Sequence, residues 1–176
     1  VLPHNLTHQF TVSVWLRHDA NMTHGLKEHI VCNADDHEMN RHHWSLFLRN
    51  CRLVLLLRRD FRHDNLNTFQ PAEWRWKLNE VCDDQWHHFA VNVNFPEVQL
   101  FIDGVEHKIT PKSPEVIDDW PLHPSEGLRT NTAVGACWEG TENKMYQYFR
   151  GYMAGLSMLT GKTESGRVIR CLHSCK

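Results

Sequence analysis

The sequence has 176 residues, of which 41% are hydrophobic, 10% aromatic and 23% charged. That is enough apolar content for one domain with a two-sheet core, and too much for a disordered chain. A formal net charge of -2 gives no global basic field and argues against nucleic acid as a ligand.

The first element in chain order is Phe10–Leu16, where Phe10, Val12, Val14 and Leu16 point one way and Thr11, Ser13 and Trp15 the other. Such period-2 alternation predicts a half-buried antiparallel strand. A short strand is predicted over Glu28–Asn33, then a polar loop to His43. Strands follow at Trp44–Arg49 and Arg52–Arg58. The second holds Leu53-Val54-Leu55-Leu56-Leu57 and reads as buried on both faces. This run is far short of the ~20 apolar residues of a membrane helix, so the segment is not expected to insert into a bilayer. Asn65-Leu66-Asn67 reads as a turn, and Ala72–Leu78 alternates with Trp74, Trp76 and Leu78 on one side.

The next segment is Asp84-Gln85-Trp86-His87-His88-Phe89-Ala90-Val91-Asn92-Val93, with Phe89, Val91 and Val93 on one face. Val98-Gln99-Leu100-Phe101-Ile102-Asp103-Gly104-Val105 follows, with Val98, Leu100 and Ile102 on one face and Asp-Gly marking a tight hairpin. Pro111 to Arg129 holds four prolines among acidic residues and is expected to be a long surface loop. Thr132–Cys137 is predicted to be a strand and Glu139–Lys144 a polar loop. Tyr148–Leu159 reads as a closing strand containing Phe149-Arg150-Gly151, and Arg167–Leu172 as a short helical turn. Strands of one type flank the long loop, so residues 1–176 are expected to form a single domain.

The polar-Trp-His strand at Trp86, the V-x-L-x-x-D-G strand ending at Gly104 and the F-x-G strand at Gly151 together resemble laminin-G-like and pentraxin-like sandwiches. The His-rich and Trp-rich wording between Phe10 and Trp86 is similar to that of the calsyntenins, cadherin-related synaptic adhesion proteins. The resemblance implies an all-β, concanavalin A-like jelly-roll sandwich of two antiparallel sheets. It further implies a non-enzymatic adhesion module on the extracellular, postsynaptic side of the membrane. The implied partner is a cell-surface protein such as neurexin, and the membrane anchor would lie outside this chain. A start at Val1, with no basic or apolar leader, leads to the expectation of a mature fragment or an excised domain. The rival functional classes are a glycan-binding lectin-like module, which the same fold supports, and a passive interdomain spacer.

Six cysteines, at 32, 51, 82, 137, 171 and 175, and two sequons, at Asn5 and Asn21, point to an oxidising secretory compartment and to glycosylation of both asparagines. The laminin-G resemblance implies a bond tying a late strand to the C-terminal segment. Cys137 with Cys171 fits that placement, Cys175 is the alternative partner, and Cys32 with Cys51 is expected across neighbouring strands.

Glycoside hydrolysis needs two facing carboxylates, but Asp35-Asp36, Asp83-Asp84 and Asp118-Asp119 fall in loops or turns, and no G-x-S-x-G is present. The adjacent pairs His42-His43 and His87-His88 would point to opposite faces of a strand, so neither pair is expected to chelate one metal. Laminin-G-like domains often hold a rim calcium ion, for which Asp35, Asp36, Asp118, Asp119, Glu139 and Glu142 are the available donors. No D-x-D-x-D-G loop is present to assign them. Arg49, Arg52, Arg58, Arg59 and Arg62 form a basic cluster of the kind that holds heparan sulfate. Strand parity, however, places Arg52 and Arg58 on one face and Arg49 and Arg59 on the other, so a split, solvated strand end is expected. Trp15, Trp74, Trp76 and Trp86 are expected to pack in the core or on a sheet face. Trp120 and Trp138 lie in or beside loops, each either a plug tucked under its loop, the favoured reading, or an exposed partner contact. The partner contact is expected in the long acidic loop, at Asp118, Asp119 and Trp120.

Overall fold

The computed structural model describes residues 9–21, 25–35, 42–59, 70–111 and 130–174. The strands are β1 (Gln9–Arg17), β2 (Glu28–Asp35), β3 (His42–Leu48), β4 (Arg52–Arg59), β5 (Gln70–Lys77), β6 (His87–Asn94), β7 (Glu97–Ile102), β8 (Val105–Glu106), β9 (Thr130–Val134), β10 (Cys137–Glu139), β11 (Lys144–Tyr146) and β12 (Tyr152–Thr160). A 3-10 turn spans Asn79–Val81, and helix α1 spans Gly166–Ser174. Two five-stranded antiparallel sheets result: sheet A in the order β12-β1-β6-β7-β8, and sheet B in the order β5-β4-β3-β2-β9.

Period-2 patterning sets which side of each strand is buried. Phe10, Val12, Val14 and Leu16 of β1 meet Phe89, Val91 and Val93 of β6 and Leu100 of β7 on the inner face of sheet A. Trp44, Leu46 and Leu48 of β3, Leu53, Leu55 and Leu57 of β4, and Trp74 and Trp76 of β5 supply the facing layer from sheet B. All are at most 2% exposed, and each buried large side chain stabilises by roughly 1.5–3 kcal/mol. Strand β4 is apolar on both faces as expected, because Val54 and Leu56 join Phe47 in a second cluster on the outer side of sheet B.

The β10–β11 hairpin is linked to β2 by a disulfide from Cys32 to Cys137, and Tyr146 packs against that pair. A second disulfide joins Cys51, in the β3–β4 turn, to Cys82, after the 3-10 turn. This pairing corrects the expectation of Cys137 with Cys171 and of Cys32 with Cys51. The Cα atoms are 5.3 and 5.7 Å apart in the observed bridges, within bonding reach. Cys171 sits on an exposed helix position, and Cys175 lies outside the described residues.

Two further expectations shift. Thr132–Cys137 is not one strand: Gly135, at φ +75°, breaks it into β9 and β10, and the polar stretch after Glu139 is the tip of the β10–β11 hairpin. The closing strand begins at Tyr152 rather than Tyr148, and its register with β1 slips between Ser13 and Trp15.

Helix α1 covers part of the outer face of sheet A. Ser165 caps it through a 3.3 Å bond from the Val168 N–H to Ser165 Oγ, and Ile169 is buried against Ala90 and Phe101. The approach is fixed by a ring of polar contacts. Thr11 Oγ1 donates to Asn92 Oδ1 at 2.6 Å, Asn92 Nδ2 donates to the Glu164 carbonyl at 2.8 Å, and the Glu164 N–H returns to Thr11 Oγ1 at 2.8 Å.

Candidate recognition surface

At one end of sheet A, β1 finishes with Arg17 on the outer face, opposite Tyr152 at the start of the edge strand β12. The guanidinium lies 5.6 Å from the centre of the Tyr152 ring. It also forks onto Asp84, with Nε to Oδ1 at 2.8 Å and Nη2 to Oδ2 at 3.2 Å. Asp84 adopts φ +59° in the turn before β6, and its N–H bonds the His18 carbonyl at 2.9 Å. The Arg17 hydrogen bond holds the Asp84 carboxyl below the usual carboxylate range. Beside this pair Trp86 tilts against Tyr152, with ring centres 6.5 Å apart. Trp86 is 43% exposed and Tyr152 64%. For Trp86 this overturns the expectation of packing in the core or on a sheet face: it sits in the turn preceding β6, where strand parity no longer directs it.

The histidines form an adjoining cluster. His87 places Nδ1 2.6 Å from Asp103 Oδ2 and Nε2 2.9 Å from Asp83 Oδ2. Burial disfavours the charged ring, but the hydrogen bonds that it donates to Asp103 and Asp83 outweigh this and raise the His87 pKa. For Asp103, burial raises the carboxyl while the bonds from His87 and the His88 N–H outweigh it and lower its pKa. Both ring nitrogens of His87 are occupied by carboxylates, so the ring has no free lone pair with which to act as a base. His88 points the other way, as expected for adjacent strand residues. It packs against Trp15 with ring centres 5.3 Å apart, and Trp15 stacks on His173 of α1 at 5.4 Å. Burial, then the nearby His173, lowers the His88 pKa. Trp15 therefore packs on the sheet face as anticipated. The Asp103-Gly104 turn has both residues at positive φ, and a Cβ on Gly104 would come within 3.1 Å of Arg170 Cα. Glycine here sets both the hairpin and the seating of α1. The assembled surface carries exposed aromatics, a guanidinium and flanking carboxylates, the residue types that anchor protein interfaces.

Other sequence-predicted positions fall elsewhere. Asp118, Asp119 and Trp120 lie outside the described residues, as do Asn5, Asp36, Arg62 and the Asn65–Asn67 turn; for Asp35 and Arg59 only the backbone is described. Asn21 is exposed after β1, with its N–H on Asp19 Oδ1 at 2.9 Å and its Nδ2 on Asp19 Oδ2 at 3.1 Å. Two of the calcium donors are already engaged. Glu139 is buried and accepts from the Thr141 hydroxyl and from the N–H groups of Thr141 and Glu142, and the Thr141 hydroxyl is the main cause of its lowered pKa. Glu142 pairs with Lys144. His29, Cys32 and Cys137 approach within 4.8 Å of one another, but the disulfide removes both thiolates, and a lone imidazole is a poor metal site. Trp138 is half-buried in β10, beside the tip of the β10–β11 hairpin.

Sequence reasoning missed Arg17, Tyr152 and His173. Arg17 and Tyr152 are brought together by the β1–β12 pairing, and His173 by the docking of α1. None of these relationships has a spacing signal in the chain.

The two-sheet architecture, with one helix laid on the outer side, defines a laminin-G-type sandwich. The Laminin G domain family matches residues 29–160. Over its whole length the chain is 48% identical to Calsyntenin-2 of Danio rerio and 46% identical to Calsyntenin-2 of Homo sapiens. Over 95% of its length it is 48% identical to Calsyntenin-1 of Rattus norvegicus. The chain belongs to the calsyntenin family, and it spans 18% of the length of the two Calsyntenin-2 relatives and 17% of the Calsyntenin-1. Among solved structures, it is similar to the CBM40 domain of a Ruminococcus gnavus IT-sialidase bound to α2,3-sialyllactose, at TM-score 0.62 and 12% identity, covering 97% of this chain and 84% of that one. It is also similar to the ligand-binding domain of botulinum neurotoxin serotype D in complex with N-acetylneuraminic acid, at TM-score 0.58 and 15% identity, covering 97% and 37% of the two chains. At these identities the likeness is one of fold.

Proposed function

We propose that residues 1–176 act as one extracellular, non-enzymatic recognition module of a synaptic adhesion protein anchored in the postsynaptic membrane by a segment outside this chain. The partner is a cell-surface protein, with neurexin the candidate that family membership suggests. The observation that carries this reading is the contiguous Trp86–Tyr152–Arg17 surface. Exposed aromatic rings held in place by an ion pair lose little conformational freedom on binding, which favours an interface hot spot. The two disulfides and the sequon at Asn21 support a secretory route. Asp118, Asp119 and Trp120, which lie outside the described residues, are proposed as a second contact from the acidic segment. A panel of synaptic ectodomains displayed on cells, probed with the purified domain, tests the reading. Saturable binding to at least one, weakened by Trp86→Ala, is expected; absence of binding across the panel would favour a passive spacer.

A further inference from the structure

The outer face of sheet B carries a row of cations that parity along a single strand conceals. Arg49 and Arg52 flank the two-residue turn Asn50-Cys51, both of whose residues have positive φ. They exchange both backbone hydrogen bonds, at 3.0 and 3.1 Å, and so stand directly opposite one another on the same face. The expectation that the arginine cluster is split between faces fails here, because a two-residue turn reflects the alternation instead of continuing it. The row extends in both directions. Lys77 is the register partner of Arg52 on β5. Lys27 precedes the Glu28–Leu48 pair by one residue, which places it across from Arg49. One cation per strand over four neighbouring chain segments, at roughly 4.8 Å per step, gives a line roughly 14 Å long.

One step along the strands, Arg75 pairs with Val54, and Val54 in turn pairs with Phe47. Arg49, Arg52, Arg75, Glu73, Phe47 and Val54 line a shallow basin of about 290 Å³. Arg58 lies further along β4. Among the described residues, Glu73 is the carboxylate lining the basin beside Arg49, Arg52 and Arg75, in a chain whose overall charge is -2. Arg75 chelates Glu73, whereas Arg49 and Arg52 form no ion pair among the described residues. The ammonium of Lys27 is held 5.2 Å from the Phe47 ring. Burial, then the charge of Arg58, lowers the Lys27 pKa, with Arg49 and Arg75 adding to the effect. The like charges are therefore crowded at a cost that an anionic ligand would relieve.

We propose that this cross-strand row is a binding site for a sulfated glycosaminoglycan chain. Guanidinium forks match sulfate and carboxylate oxygens in bidentate geometry. The floor is formed by the inner strands β3 and β4, whose backbone donors are already used in the ladders on both sides. An acidic peptide laid across β3 and β4 would find no backbone to pair with, since the one edge strand near the row is β5, at its Lys77 end. A polysaccharide, carrying charged groups along its length, needs only the side-chain forks. The site lies on sheet B, whereas the Trp86 surface lies on sheet A, so the two can be tested separately.

The test is retention on heparin with a salt gradient, run on the intact domain beside solution binding to heparin, to fully desulfated heparin and to poly-glutamate. The variant is Arg49→Gln/Arg52→Gln. The charge-matched control is Lys108→Gln/Arg167→Gln, at exposed positions away from the basin. Thermal melts of both variants check folding. Heparin binding that falls as salt rises is expected, with at least a tenfold loss in the Arg49/Arg52 variant, less than a threefold loss in the control, and weak binding to desulfated heparin. Equal losses in variant and control, no heparin binding at physiological salt, or poly-glutamate binding as tightly as heparin would each overturn the proposal. The last outcome would assign the row to an acidic peptide instead.

Discussion

A Cβ atom on Gly151 would stand 2.5 Å from the carbonyl oxygen of Arg17. The same added carbon would meet the His18 ring and the Phe149 ring at 3.0 Å. The close approach lets Phe149 pack edge-on to His18 and lets the following residue, Tyr152, pair with Arg17. The F-x-G signature thus has a physical cause: the chain crosses the end of β1 with no room for a side chain.

Gly151→Ala is therefore expected to destabilise by about 1–3 kcal/mol, because backbone must move to admit the methyl group. Urea unfolding measures this directly. Gly161→Ala serves as the contrast in space: at φ +83° it is strained, but nothing lies within 4 Å of its added carbon. If Gly151→Ala melted like the parent, the close packing of residues 149–151 on β1 would be wrong.

The Cys32–Cys137 bond spans 105 residues of sequence. In the chain-entropy view its loss removes roughly 4–5 kcal/mol. Non-reducing peptide mapping should recover Cys32 with Cys137 and Cys51 with Cys82. Recovery of Cys137 linked to Cys171 or Cys175 would contradict this connectivity.

Much of the sandwich was legible in the residues themselves. The alternation in Phe10–Leu16 and Phe89–Val93, and the Asp103-Gly104 turn, each encode a local geometry that tertiary packing merely completes. Cysteine pairing was not legible, because it depends on the β10–β11 hairpin folding back over β2, and Gly135 gives only the break. The two candidate surfaces were hidden for the same reason. Arg17 meets Tyr152 across 135 residues of chain, and Arg49 meets Arg52 by reflection through a turn whose residues, Asn50 and Cys51, give little hint of positive φ. Adding side-chain parity along one strand cannot recover either relationship.

Stability should depend on pH through histidines of opposite sense: His29, joined by His88, on the acid side and His87 on the alkaline side. His29 lies buried on the outer side of β2, with its ring nitrogens 2.6 Å from Ser45 Oγ and 2.7 Å from Gln147 Oε1. Burial lowers its pKa to about 4. Between that value and the unfolded value of 6.5 the unfolded chain binds a proton that the folded one does not, so stability falls on acidification, by about 3 kcal/mol in all. His87 behaves oppositely. Its raised pKa gives a contribution that is complete below 6.5 and fades as pH rises through the folded value. Unfolding free energies from pH 4 to 8 should show both limbs. His29→Gln should flatten the acid limb and His87→Asn the alkaline one; an unchanged acid limb in His29→Gln would mean that the ring is not buried neutral.

Asn21 is expected to carry glycan when the domain is secreted from mammalian cells, since it is exposed and lies just after β1. Mass spectrometry before and after glycosidase treatment reads the outcome. An unmodified Asn21 would weaken the case for a secretory route.

The central claim is that the end of sheet A, rather than a catalytic pocket, carries the function. Trp86→Ala/Tyr152→Ala removes two exposed rings, so it should leave the melting temperature within a few degrees of the parent. Binding to the partner ectodomain identified from the panel should weaken at least tenfold. Measured beside it, the Asp118→Ala/Asp119→Ala/Trp120→Ala variant reports on the acidic segment. Partner affinity unchanged in Trp86→Ala/Tyr152→Ala, with the fold intact, would contradict the assignment of this surface.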